Sequence, residues 1–164
     1  MVIRGLVIAA LLMAAGPARA DPPTAVLGLV ETVRLLPEAI DIAAKVDTGA
    51  QHSSVDIATW TPFERAGQTW IRFTLRLDDD RQAELERPLV RMARIGQAGT
   101  IVERPVVRII LCVGETAREA DVNLSVRPMR AYRMLLGASF LSGAFLVDVS
   151  RRNLTLPACA GGRP

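Results

Sequence analysis

Histidine is almost missing from this chain of 164 residues: His52 is the only one, beside two cysteines. So few ligands exclude a closed Cys/His zinc cage. No HExxH and no GxxxxGK(S/T) segment occurs, so zincin and P-loop chemistry have no local support. Aromatic residues make up only 4%, and Lys45 is the sole lysine. Without a dense basic patch interleaved with aromatics, nucleic-acid binding is disfavoured. What is abundant is apolar: 50% hydrophobic against 23% charged residues argues for a packed core over disorder. The length fits one domain.

The N-terminus reads MVIRGLVIAALLMAAGPARA. Arg4 is a basic start, Gly5–Ala15 is apolar, and Ala18-Arg19-Ala20 is a small-x-small cleavage site. That is the layout of a secretory signal peptide over 1–20, and it predicts export, to the periplasm first of all. The run falls short of the roughly 20 residues of a membrane span, so no stable span is expected after cleavage. An uncleaved anchor is the alternative. Removing Arg4 and Arg19 takes the bases from 20 to 18 against 17 acids, a net charge of +1. Export also permits a disulfide: Cys112 and Cys159 either pair, or Cys112 remains a small buried hydrophobe.

Residues 21–26 read as a linker, 27–157 as the folded body and 158–164 as a flexible tail. Within the body the dominant period is two. Ile71, Phe73, Leu75 and Leu77 alternate with polar neighbours, as do Ala120, Val122, Leu124 and Val126; both segments predict half-buried strands. Apolar runs at Val106–Val113, Met134–Leu136 and Phe145–Val149 predict strands buried on both sides. Turn signals at Ala66-Gly67, Asp78–Asp80, Gly96–Gly99, Gly114-Glu115 and Arg127-Pro128 separate them. Many short strands predict an all-β barrel or sandwich, with one short helical turn at Ala138–Ser142.

The chemistry centres on Lys45-Val46-Asp47-Thr48-Gly49-Ala50. A strand over Ile42–Val46 runs into Asp-Thr-Gly, which holds a carboxylate at a strand end, while Gly49 permits a tight backbone. Some ninety residues on, Met134-Leu135-Leu136-Gly137 is an apolar strand whose glycine allows close passage beside the Asp loop. Ile95-Gly96-Gln97-Ala98-Gly99 is a hairpin tip suited to a flap over a cleft.

KVDTGAQHSS at 45–54 resembles the active-site segment of the retropepsin-like aspartic peptidases, in the group of bacterial proteins that once carried the label ATP-dependent zinc proteases. The likeness continues through Glu103–Val107, Met134–Gly137 and Phe145–Ser150. It implies a closed retropepsin-like β barrel with one lobe per chain, and Asp47 as the catalytic residue. Thr48, Gly49, Ala50, Leu136 and Gly137 would support the site, and residues 95–99 would form the substrate-binding flap. It implies a peptide or protein substrate, a homodimer that joins two copies of Asp47, and no metal or cofactor. Retropepsins usually place an acid after DTGA and an arginine after the late glycine; here Gln51 and Ala138 stand there. That pair of departures favours the alternative, a dimeric peptide-binding module that does not cut. A purely structural exported β domain is a third reading. Relative to compact retroviral enzymes, 58–91 reads as an inserted hairpin carrying Trp60 and Trp70, whose aromatic rings pack against the body or line the groove.

Other constellations fare worse. His52 with Ser53 and Ser54 makes a poor triad, because adjacent strand residues face opposite ways. Gly137–Leu141 fails GxSxG at its last position. Glu84, Glu86 and Asp78–Asp80 read as a solvated acidic turn. Asp148, between Val147 and Val149 facing inward, is expected to point outward or into a structural hydrogen bond.

Overall fold

The computed structural model describes residues 25–77, 81–97, 100–126 and 131–159. The leader at 1–20, the linker through Thr24, the Asp78–Asp80 and Arg127-Pro128 turns and the flap residues Ala98 and Gly99 lie outside them. The described chain is nearly all strand. In order it runs β1 (Ala25–Gly28), β2 (Val30–Leu36), β3 (Ile40–Asp47), β4 (Ser53–Arg65), β5 (Gln68–Arg76), β6 (Gln82–Gln97), β7 (Thr100–Val113), β8 (Thr116–Ser125) and β9 (Met134–Gly137). A single helical turn, α1 (Ala138–Leu141), and β10 (Phe145–Asp148) complete it.

Pairing closes a barrel: β2–β3–β9–β4–β8–β7, with β7 returning to β2. The alternation read from the sequence builds it. Ile42, Ala44 and Val46 of β3 point into the core with Ile71, Phe73 and Leu75 of β5 and Val122 and Leu124 of β8. Two strands are long and divided between pairings. The first part of β4 belongs to the barrel, and its outer part pairs with β5 after an irregularity between Ile57 and Trp60. β6 likewise pairs first with β5 and then with β7, with a bulge between Leu89 and Arg91. Residues 58–91 thus form the outer part of β4, β5 and the first half of β6. One face of that sheet is fused to the main core through Ile71, Phe73 and Leu85, with Trp60 packed on it. On the other face Trp70 and Phe63 stack under the Arg65 guanidinium.

Two expected orientations come out differently. Asn123 and Ser125 of β8 are buried, and Asn123 Nδ2 donates to the Ser53 carbonyl. Val149 is exposed, because β10 stops at Asp148.

After β10 the chain does not trail away. Residues 149–159 form a strap across the barrel: Leu29 N–H donates to Arg151 O, Asn153 N–H to Val30 O and Ala158 N–H to Gly114 O. Gly28 lets the strap lie close, since a Cβ there would sit 2.6 Å from Arg151 O. The anchor is Glu31, with none of its surface exposed. Its carboxylate accepts from Gly28 N–H at 2.6 Å, Leu154 N–H at 3.0 Å and Thr155 N–H at 2.9 Å, and from the Thr155 hydroxyl. A buried anion is tolerable when its oxygens are satisfied in this way. Ala158 and Cys159, expected in a loose tail, are instead fixed by the Gly114 contact and a Cys112–Cys159 disulfide. The bridge closes a loop with a sequence separation of 47. Cys112→Ser with Cys159→Ser is expected to lower unfolding free energy by roughly 2–4 kcal/mol, measured by urea denaturation. An unchanged midpoint would mean that Glu31 alone secures the strap.

Candidate active site

β3 delivers Asp47 at its last position, on the face opposite Val46, and Lys45 shares that face two residues earlier. β9 lies parallel to β3, with Lys45 opposite Leu135 and Asp47 opposite Gly137. The two segments read as a pair from the sequence therefore meet at the carboxylate.

The loop after Asp47 is tied down at several points. Gly49 N–H donates to Asp47 Oδ1 at 3.1 Å, and Ala50 N–H donates to the Asp47 carbonyl. Across the gap, Ala138 N–H donates to Ala50 O at 2.7 Å and Ser139 N–H to Gln51 O at 3.0 Å. The buried Ser53 hydroxyl accepts from Gly137 N–H. Gly137 is required by this approach: a Cβ there would lie 2.4 Å from the His52 carbonyl carbon. Leu136 is fully buried beneath, whereas Thr48 and Gly49 are exposed.

Beside Asp47 opens a groove of about 390 Å³. β3 contributes Lys45 and Asp47, β9 contributes Leu135, the segment leading into it contributes Tyr132, and the strap contributes Arg152. Arg152 Nη1 donates to the Tyr132 hydroxyl at 3.3 Å. The groove therefore places a carboxylate between apolar walls with two cations at hand. Ile95, Gly96 and Gln97 belong to the β6–β7 hairpin and pair with Val102, Ile101 and Thr100; none of them lines this groove.

The remaining candidates fall elsewhere. His52 borders a separate depression with Arg108, Glu119 and Ser139, and its Nδ1 is buried without a hydrogen-bond partner. Asp148 accepts from the Ser150 hydroxyl at 2.6 Å and the Ser150 N–H. These bonds hold its carboxyl below the usual carboxylate range, which suits a structural acceptor and not a proton donor. Glu86 binds Arg65 and Arg72, which hold its carboxyl low as well.

Sequence reasoning missed the strap's contribution, Arg152, and a buried ion pair. Asp56 of β4 is 2% exposed and receives Arg133 Nη1 at 2.8 Å and Arg76 Nη1 at 3.4 Å. Gln51 and Ala138, where the family resemblance expects opposite charges, link their segments through backbone groups.

Residues 26–157 match the family model described as RimB-like, retropepsin-like aspartic endopeptidase RimB. A solved structure of a Legionella pneumophila protein of unknown function superposes with a TM-score of 0.72 at 28% identity, covering 80% of this chain and 98% of that one. A protein of Shewanella halifaxensis named probable alpha-L-glutamate ligase is 34% identical over 113 residues, 66% of this chain and 25% of its own length. A protein of the same name from Parasynechococcus marenigrum is 35% identical over 111 residues, 65% of this chain and 24% of its own. The chain thus spans about a quarter of the length of the curated relatives it matches.

Proposed function

Because the chain belongs to the RimB-like family of retropepsin-like aspartic endopeptidases, we propose that it is an exported endopeptidase that cuts with a dyad of two Asp47 carboxylates, one from each subunit. The observation that carries this reading is the placement of Asp47: at a strand end, braced by Gly49 N–H, opposite Gly137 and facing an open groove. One chain supplies one such carboxylate, so a two-fold axis must bring the second. Two carboxylates in contact cannot both ionise, and the pair holds one proton between them. The ionised member takes a proton from water as it attacks the peptide carbonyl. The protonated member donates to the carbonyl oxygen. Leu135 and Tyr132 offer apolar surface to a side chain flanking the cut bond.

Lys45 and Arg152 add positive charge to the groove, which fits an acidic residue at the flanking position. Export is supported by the leader-like residues 1–20 and by the Cys112–Cys159 bridge, since disulfides persist in oxidising compartments.

The test is digestion of a mixed peptide library by purified residues 21–164, from roughly pH 3.5 to 8. The expected result is cleavage beside Glu or Asp, a bell-shaped pH profile, and specific activity that rises with enzyme concentration until dimers saturate. Specific activity independent of concentration at every dilution would argue against a shared dyad. A folded dimer that binds peptides and cuts none would establish the binding module, the reading that uncharged Gln51 and Ala138 favour.

A further inference from the structure

Tyr132 and Leu135 form one wall of the groove, and the residue between Tyr132 and β9 is Arg133. Arg133 is fastened to β4 twice. Its carbonyl accepts Asp56 N–H at 2.7 Å, and its Nη1 donates to Asp56 Oδ2 at 2.8 Å. Arg76 Nη1, from β5, reaches Asp56 Oδ1 at 3.4 Å and the Ile57 carbonyl at 3.0 Å. The carboxylate is nearly sealed from solvent, whereas the Arg133 and Arg76 side chains are 18% and 25% exposed. A single buried anion thus clasps the segment before β9 at one end of Arg133, while the neighbouring residue presents its ring to the groove.

We propose that Asp56 is a positioning residue for the substrate groove: through Arg133 it fixes where Tyr132 stands. The inference rests on reading the groove as the substrate site. Pairs of this kind add little net stability compared with apolar packing of the same shape, and in some proteins they serve instead to select one geometry. A Tyr132 held at one place also keeps its hydroxyl within reach of Arg152, which joins the wall to the strap across the groove. Loosening Arg133 would leave Asp47 and its loop untouched, because none of the contacts to Gly49, Ala50 or Gly137 involves Asp56. The expected signature is weaker substrate binding with the chemical step preserved.

Tyr132 is the only tyrosine in the chain, so protein labelled with ring-13C tyrosine gives one tyrosine ring environment. In Asp56→Asn that signal is expected to shift or broaden, and KM for a cleavable peptide from the library to rise about fivefold or more with kcat within about twofold. Arg133→Lys, which keeps a cation beside an intact Asp56, should leave both close to the wild type. Glu86→Gln, which removes an exposed ion pair on the outer sheet, should move neither. In a Tyr132→Ala background the Asp56→Asn effect on KM should vanish, since contacts acting through one residue are not additive. Should Asp56→Asn fail to fold, Arg133→Met carries the same measurements with Asp56 still held by Arg76.

An unmoved tyrosine signal in a folded Asp56→Asn or Arg133→Met protein overturns the proposal. So does a moved signal with unchanged KM, or an effect that persists without Tyr132. If the wild type cuts nothing, the peptidase reading fails by itself. The proposal is then decided by the tyrosine signal together with the dissociation constants of the same variants for a fluorescein-labelled Glu-containing peptide.

Discussion

Asp47→Asn is expected to reduce peptide cleavage by about 10³-fold or more while leaving the fold intact. General acid and general base catalysis are each worth about 10²–10⁴, and in a symmetric dimer the substitution removes both at once. The fold should survive because the asparagine Oδ1 can still accept the Gly49 N–H that Asp47 Oδ1 accepts at 3.1 Å. Circular dichroism and sedimentation of the variant should match the wild type. A mixing experiment makes the result sharper. If subunits exchange, equal parts of wild type and variant leave only about a quarter of the dimers with two Asp47 carboxylates. Activity per total protein should then fall to about one quarter and not to one half. A value of one half would mean that each chain works alone, and a variant with wild-type turnover would remove Asp47 from the mechanism.

Gly137→Ala is the second substitution with a large expected effect, and it acts on structure first. The added methyl would lie 2.4 Å from the His52 carbonyl carbon, 2.7 Å from its oxygen and 2.8 Å from Ser53 N. All three are backbone atoms, so no side chain can turn aside. The loop from Ala50 to Ser53 is bonded to β9 and α1 on both sides of the clash, through Ala138 N–H, Ser139 N–H and the Ser53 hydroxyl. Relief requires those bonds to lengthen or break together. We expect a loss of about 3 kcal/mol or more of stability, and reduced activity in whatever fraction folds, since the Asp47 loop is displaced. Thermal denaturation measures the first and initial rates the second. Gly96→Ala serves as the control, because a Cβ there meets nothing within 4 Å. If the two alanine variants melt alike, the close passage of β9 beside the loop is not what Gly137 is for.

The meeting of Asp47 with Gly137 was legible because both ends of the contact carry unusual chemistry. A carboxylate with Thr and Gly after it marks a strand end, and an apolar run closed by glycine marks a close approach. The all-β class was legible for a plainer reason, the period-two alternation in β5 and β8. Reading failed where the partner has no identity in the sequence. Glu31 looks like one polar residue in the alternating strand Val30–Leu36, and three of its four donors are backbone N–H groups, which every residue but proline possesses. Asp56 sits among Ser53, Ser54 and Val55, and its arginine partners lie 20 and 77 positions away in an arginine-rich chain. Nothing in spacing selects them. Asn123 and Ser125 obey the alternation and are nonetheless buried, because alternation states which residues share a face and not whether that face is wet.

The strap has a consequence in time. Glu31 and its donors at Leu154 and Thr155 are separated by 123 and 124 positions, and contacts this distant in the chain close late, after nearer pairings have shortened the path. Arg152 rides on that strap, so the groove beside Asp47 is complete only when contacts this far apart in the chain have closed. A copy still folding has its carboxylate but not its finished cleft.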